Sequence, residues 1–151
     1  MATYCGQNIG AGEVKRVKQG IRLAILYTCI WCTMVLIASY TIGPWLVYLV
    51  TGTHNEVVIT NATNYLEFDT VFYFVTAVIC IVRNAMQGLG EQITPLVSSS
   101  LEMIGKIVIA FTLVPMLGYT GVIVAEPIVW FIMVIPLLVK IFRMPILKEE
   151  G

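Results

Sequence analysis

The chain has 151 residues, 58% of them hydrophobic and 12% charged, against about 25% charged in a typical soluble domain. Its formal net charge is zero, which removes the electrostatic argument for nucleic acid or an acidic partner. With a mean hydropathy of +0.88, the composition excludes an ordinary water-soluble domain and points to an all-α integral membrane protein.

Residues 1–20 are polar and rich in glycine, with Lys15, Arg16 and Lys18. They read as a flexible basic cytoplasmic connector, with room for a short surface helix from Gly12. No apolar stretch precedes a small-residue cleavage site, so the first span itself must direct insertion. That span covers residues 21–49. After Arg22 no charged side chain occurs before Glu56, with His54 neutral, and about 20 apolar residues suffice to cross a bilayer. Gly43 and Pro44 predict a kink. Trp45 and Tyr48 lie beyond it, at the level of an interfacial aromatic belt.

A polar loop with Gly52, His54, Asn55 and Glu56 follows. The second span is expected over residues 61–87, with Asp69 and Arg83 near its ends because the charge-free stretch between them is too short to cross alone. Gly88, Gly90 and Pro95 break the chain. The third span, residues 95–117, carries Glu102 and Lys106 in an apolar run. Gly118 and Gly121 make a turn, and the fourth span, residues 121–142, contains Glu126, Pro127 and Pro136. Residues 143–151 form a charged tail. No internal repeat or low-complexity segment is present.

Basic residues orient the chain. Lys15, Arg16, Lys18 and Arg22 precede the first span, and Lys140, Arg143 and Lys148 lie at or beyond the end of the fourth. The first and third connections contain no Lys or Arg, and the second has Arg83 at its edge. Four spans with both ends in the cytoplasm fit every connection.

Ionisable groups inside spans are expensive and rare, and by default they mark function. Glu102 and Lys106 are one helical turn apart, Glu first, the favourable order. They are expected to compensate each other on a protein-facing side of the third span, so that removing both restores what removing one costs. The bland reading is a structural lock and the sharper one a proton or cation relay. Arg83 would either snorkel or pair with Glu102. Glu126 precedes a proline, which deprives a carbonyl one turn earlier, near Val122, of its donor. It is either a cation or proton site or a carboxylate that reaches outer-leaflet water. Asp69 and Glu67, near the outer end of the second span, read as solvated. Tyr65, Phe68, Phe72 and Tyr73 read as packing ahead of a surface for cationic ligands.

The cysteines are Cys5, Cys29, Cys32 and Cys80. Cys29 and Cys32 have CxxC spacing but sit within an apolar span without a second ligand pair, so they read as small packing residues and no metal is assigned. Asn61-Ala62-Thr63 has glycosylation spacing and falls on the outer side. There is no paired histidine, phosphate loop or Ser/His/Asp set, and the chain is not read as an enzyme. No cofactor is assigned.

From Tyr65 onward, RNAMQGLG at 83–90, SSLEMIGK at 99–106 and LVPMLGYTGVIVAEPIVW at 113–130 resemble, in order and spacing, the C-terminal lobe of the MATE family of multidrug and toxic compound extrusion transporters. GQNIGAGEVKRVKQG at 6–20 resembles the stretch after the second helix of a lobe. Tyr65-Leu66 stands where the family often has a Tyr-Leu-Arg-Ile run. Lys106 and Gln87 stand where related sequences tend to have arginine, and Glu126 where an apolar or small residue is usual. The resemblance implies the last four of twelve helices, a separate N-terminal part as partner, and Met1–Cys5 as the end of a preceding helix. It further implies an antiporter in a cell inner (plasma) membrane that exports amphiphilic or cationic substrates in exchange for sodium or protons, and a fragment inactive alone. Two other readings fit four spans. One is a small dimeric multidrug exporter, although such proteins resemble a design with an acid in the first span, which is absent here. The other is a non-transport membrane assembly subunit.

Overall fold

Hydrophobic runs of this length can satisfy their backbone groups in lipid only as helices. The computed structural model describes residues 1–144, and every regular element among them is helical: α1 Ala2–Gly10, α2 Val14–Thr51, α3 Glu56–Val71, α4 Tyr73–Gly88, α5 Ile93–Leu117 and α6 Tyr119–Arg143. By length and apolarity α2, α5 and α6 can each cross a membrane, and α3 with α4 passes the same criterion as a pair bent by 52°.

The ends of these helices follow local chemistry. Gly52 closes α2 at φ 64°, its N–H donating to the Tyr48 carbonyl. Asn55 caps α3, its side-chain oxygen accepting from the N–H groups of Val57 and Val58, which supplies partners to donors a helix start otherwise leaves unsatisfied. Gly118 joins α5 to α6 at φ 58° and ψ −131°, a conformation open in practice to glycine alone.

Two features differ from the sequence reading. The first 20 residues, read as a flexible connector with room for a short helix from Gly12, are helix for the most part, and α1 is docked: Cys5 is fully buried and the Gly88 backbone lies against Ala2 and Cys5. The second span, expected as one helix, breaks at Phe72. There φ −91° and ψ −1° let the Phe72 N–H close a tighter bond on the Asp69 carbonyl at 3.0 Å.

Helix α4 is the hub. Helices α1, α2 and α6 all pack on it, α5 pairs with α6 along its length, and α3 packs mainly on α2. Among the described residues α2 and α6 make no backbone contact with each other, so a groove remains between them over α4. The core lies where α1, the start of α2, α4 and α6 meet, around Val17, Met86, Val129 and Leu137. Elsewhere the helices are bare. Only 11% of the apolar window of α2 and 6% of that of α5 is buried, which leaves their faces to lipid or further helices.

Candidate intramembrane polar site

Glu102 and Lys106 are adjacent turns of α5, and their side chains meet with 3.2 Å between Oε1 and Nζ. The pair is not closed. The second oxygen of Glu102 faces Arg83 Nη2 on α4 at 3.6 Å, and Lys106 Nζ also reaches Glu126 Oε2 on α6 at 3.1 Å. The result is a chain of alternating sign, Arg83–Glu102–Lys106–Glu126, across three helices. Two cations and two anions balance, and each inner member serves two partners. An unpaired charge at mid-span costs about 2.5–3.5 kcal/mol on insertion scales. The chain lowers that cost for four residues at once, and it ties α4, α5 and α6 together.

The Arg83 end is anchored by Ser98. Ser98 is fully buried, lies 3.5 Å from Arg83 Nη2 and donates to the Met133 carbonyl on α6 at 2.9 Å. That carbonyl is next to Ile132, whose helical donor Pro136 cannot supply. The Nε atom of Arg83 is buried without a partner among the described residues.

At the other end, Glu126 lies within electrostatic reach of Asp69. Neither reading of Glu126, as a cation or proton site or as a carboxylate reaching outer-leaflet water, includes its pair with Lys106. The expectation that Asp69 is solvated is corrected: Asp69 is only 7% exposed. The bend at Phe72 turns α3 into the protein, where α2 and α6 cover it. The neighbouring Thr70 is fully buried and shares a 2.9 Å hydroxyl contact with Ser39 of α2. The Tyr73 hydroxyl is the side-chain neighbour of the Asp69 carboxyl, and Glu126 acts on it electrostatically from α6. Its Oδ1 has no hydrogen-bond partner among the described residues. Tyr65, one turn earlier on α3, shares this surrounding with Asp69, Glu126 and Tyr119.

The structure thus brings all five sequence-predicted residues into one polar band, with Glu126 as the link between Asp69 and the ion chain. Sequence reasoning missed Ser98, Thr63 and Thr76. The hydroxyls of Thr63 and Thr76 are buried and unpartnered among the described residues. Asp69, Thr76 and Arg83 are spaced by seven, a helical-face signal the sequence does carry, although the bend between them hides it from a straight-helix reading. The aromatic residues pack: Phe72 meets Phe68 at 5.2 Å and Phe131 at 6.1 Å, and Tyr73 meets Trp130 at 6.3 Å. They hold the bend against α6. Cys29 and Cys32 are free thiols, and no group of metal-ligating side chains occurs among the described residues.

A buried carboxyl with one unpartnered oxygen, next to a hydroxyl and a second acid, is suited to take up a proton or a small cation. The ion chain beside it is suited to sense that event, since Glu126 belongs to both. Among comparisons with known proteins, the model of one family, described as MatE, matches residues 1–112. No curated protein and no solved structure matches the chain.

Proposed function

Because the chain belongs to the MatE family, we propose that it forms part of the C-terminal lobe of a membrane antiporter that exports drugs or other organic cations in exchange for sodium or protons. In this reading α2, the bent α3–α4 pair, α5 and α6 are four spans with both ends in the cytoplasm of a prokaryotic inner membrane. Transport runs by alternating access, in which two lobes rock around a shared site near the midplane. The opposite lobe and the lipid bilayer are the partners, and residues 1–151 by themselves do not transport.

The observation that carries the coupling role is the buried Asp69 with its unpartnered oxygen. When Asp69 takes a proton or cation, the charge Glu126 faces is neutralised. Lys106 then rebalances between Glu126 and Glu102, and the strain passes to α5 and α4. Substrate export uses the free energy of that uptake on one side and release on the other.

The test uses an efflux-deficient host challenged with a lipophilic cation such as ethidium. Residues 1–151 alone are expected to confer no resistance. A complete transporter that carries this segment is expected to confer it, and Asp69→Asn is expected to lower efflux at least about tenfold with unchanged membrane yield. Full resistance from the isolated chain would overturn the proposal in favour of a self-sufficient exporter. Undiminished efflux in Asp69→Asn would remove Asp69 from the coupling step.

A further inference from the structure

Helices α4 and α5 are joined by a short connection, yet α5 packs along α6 and touches α4 little. Between their joined ends lies an open cleft of about 490 Å³, lined by Gln87 of α4, Gln92 at the start of α5, and Pro95, Leu96 and Ser99 of α5. Register sets this cleft against the ion chain. On α4, Gln87 is one turn nearer the connection than Arg83, and on α5, Ser99 is one turn nearer it than Glu102. A turn advances about 5.4 Å, so the ion chain begins where the cleft ends. Arg83 reaches across from α4 to Ser98 and Glu102 of α5, at 3.5 and 3.6 Å. Its guanidinium closes the inner end, and its Nε is buried without a partner among the described residues.

We propose that this cleft is a water-filled vestibule that connects the Arg83–Glu102 end of the ion chain to the aqueous phase on the side bearing Glu91. The chemistry of its walls selects water. Two carboxamides and a hydroxyl line it, and a guanidinium closes it. The Ser99 hydroxyl donates to the Pro95 carbonyl at 3.1 Å, which leaves its lone pairs to accept from water. A site with several polar partners holds water readily. An acyl chain there would strand the same groups, and a stranded polar group costs more than apolar contact returns. The two ends of the polar band differ accordingly: the side chains of Arg83 and Glu102 are 24% and 29% exposed, and Asp69 is 7% exposed. The ion chain is thus hydrated at one end and closed at the other, which gives it a sidedness. The inference does not depend on what the protein transports or on a coupling role for Asp69.

The test is thiol accessibility of the full chain, without its native cysteines, in membrane vesicles of either orientation. Single cysteines replace Ser98, Ser99, Gln92 or His54. The probe is a membrane-impermeant anion, 2-sulfonatoethyl methanethiosulfonate. Ser99→Cys is expected to react from the face that modifies Gln92→Cys and not from the face that modifies His54→Cys. Ser98 is fully buried. Ser99→Cys is expected to react about tenfold or more faster than Ser98→Cys, because a buried thiol reacts only after local opening. One turn deeper, folded Glu102→Cys is expected to react from the same face as Ser99→Cys. The sulfonate it gains restores an anion between Arg83 and Lys106 and is expected to raise the unfolding temperature in detergent. Ser99→Cys as slow as Ser98→Cys would show that a further helix or lipid covers the cleft, and would overturn the proposal. Reaction of Ser99→Cys from the His54 face would overturn it too. So would folded Glu102→Cys that stays unmodified while Ser99→Cys reacts, since the vestibule would then stop short of the ion chain.

Discussion

At the scale of residues, the consequence of the ion chain is non-additivity. Lys106 serves both Glu102 and Glu126, so Lys106→Met strands Glu126 outright. Glu102→Gln leaves Lys106 on Glu126 and abandons Arg83 to Ser98. Lys106→Met is therefore expected to cost more, about 1–3 kcal/mol, less than the roughly 3–5 kcal/mol of a fully buried broken pair because these side chains keep some solvent contact. The double change Glu102→Ala with Lys106→Ala removes the middle of the chain and strands both ends. It is expected not to restore membrane-inserted yield, contrary to what a self-contained pair on α5 predicts. Yield and thermal unfolding in detergent measure this, and recovery to the wild-type level would show that Arg83 and Glu126 do not depend on the inner pair. Glu91 sits outside the spans. The Thr94 backbone N–H, with Lys140 at 3.1 Å, holds its carboxyl below the ordinary carboxylate value. A carboxylate lowered in the folded state stabilises above its unfolded pKa and loses that contribution as pH falls through the folded one. Glu91→Gln is thus expected to lower the unfolding temperature slightly at neutral pH. The difference should shrink as the pH falls below the ordinary glutamate value and close once it has passed the lowered folded one.

At the scale of elements, α1 docks through contacts that leave no room for a side chain. A Cβ at Gly88 would run into the Ala2 carbonyl and lie 2.9 Å from the Cys5 Cβ. Because part of the obstacle is backbone, Gly88→Val must displace α1, at about 1–3 kcal/mol for an overpacked contact. Cys5 reports it. In a background without Cys29, Cys32 and Cys80, the buried Cys5 thiol is expected to react with maleimide about tenfold or more faster in the variant, the factor such a loss of docking gives. An unchanged rate would show that α1 stays in place. The bend between α3 and α4 belongs to this scale too. Residues 69–76 contain neither Pro nor Gly, the usual causes of a break. Here the fixed points are tertiary, the Ser39–Thr70 contact on one side and the Phe72–Phe131 contact on the other.

At the scale of the whole molecule, the connections alternate between two ends. Tyr119 donates to the Asn61 carbonyl at 2.8 Å at the end carrying Gly52 and Gly118, and Lys140 pairs with Glu91 at the other. Basic residues crowd the second end, which the positive-inside rule assigns to the cytoplasm. A single cysteine at His54 is therefore expected to react with a membrane-impermeant thiol reagent in intact cells. His54 is the better site than Asn55, whose side chain caps α3. Labelling only after the cells are opened would reverse the topology.

Helical class, apolar spans and the pairing of Glu102 with Lys106 were legible in the sequence, because run length and one-turn spacing are local properties of the chain. The link from Arg83 to Glu102 was visible only as one of two options, since it joins two helices. What tertiary structure alone decided is the burial of Asp69, the capture of Glu126 by Lys106 and the bend at Phe72. Each depends on which helix faces which. A period along one helix says that a face is polar, but the partner that covers it lies dozens of residues away. Only packing against α2, α5 and α6 turns five scattered ionisable groups into one band.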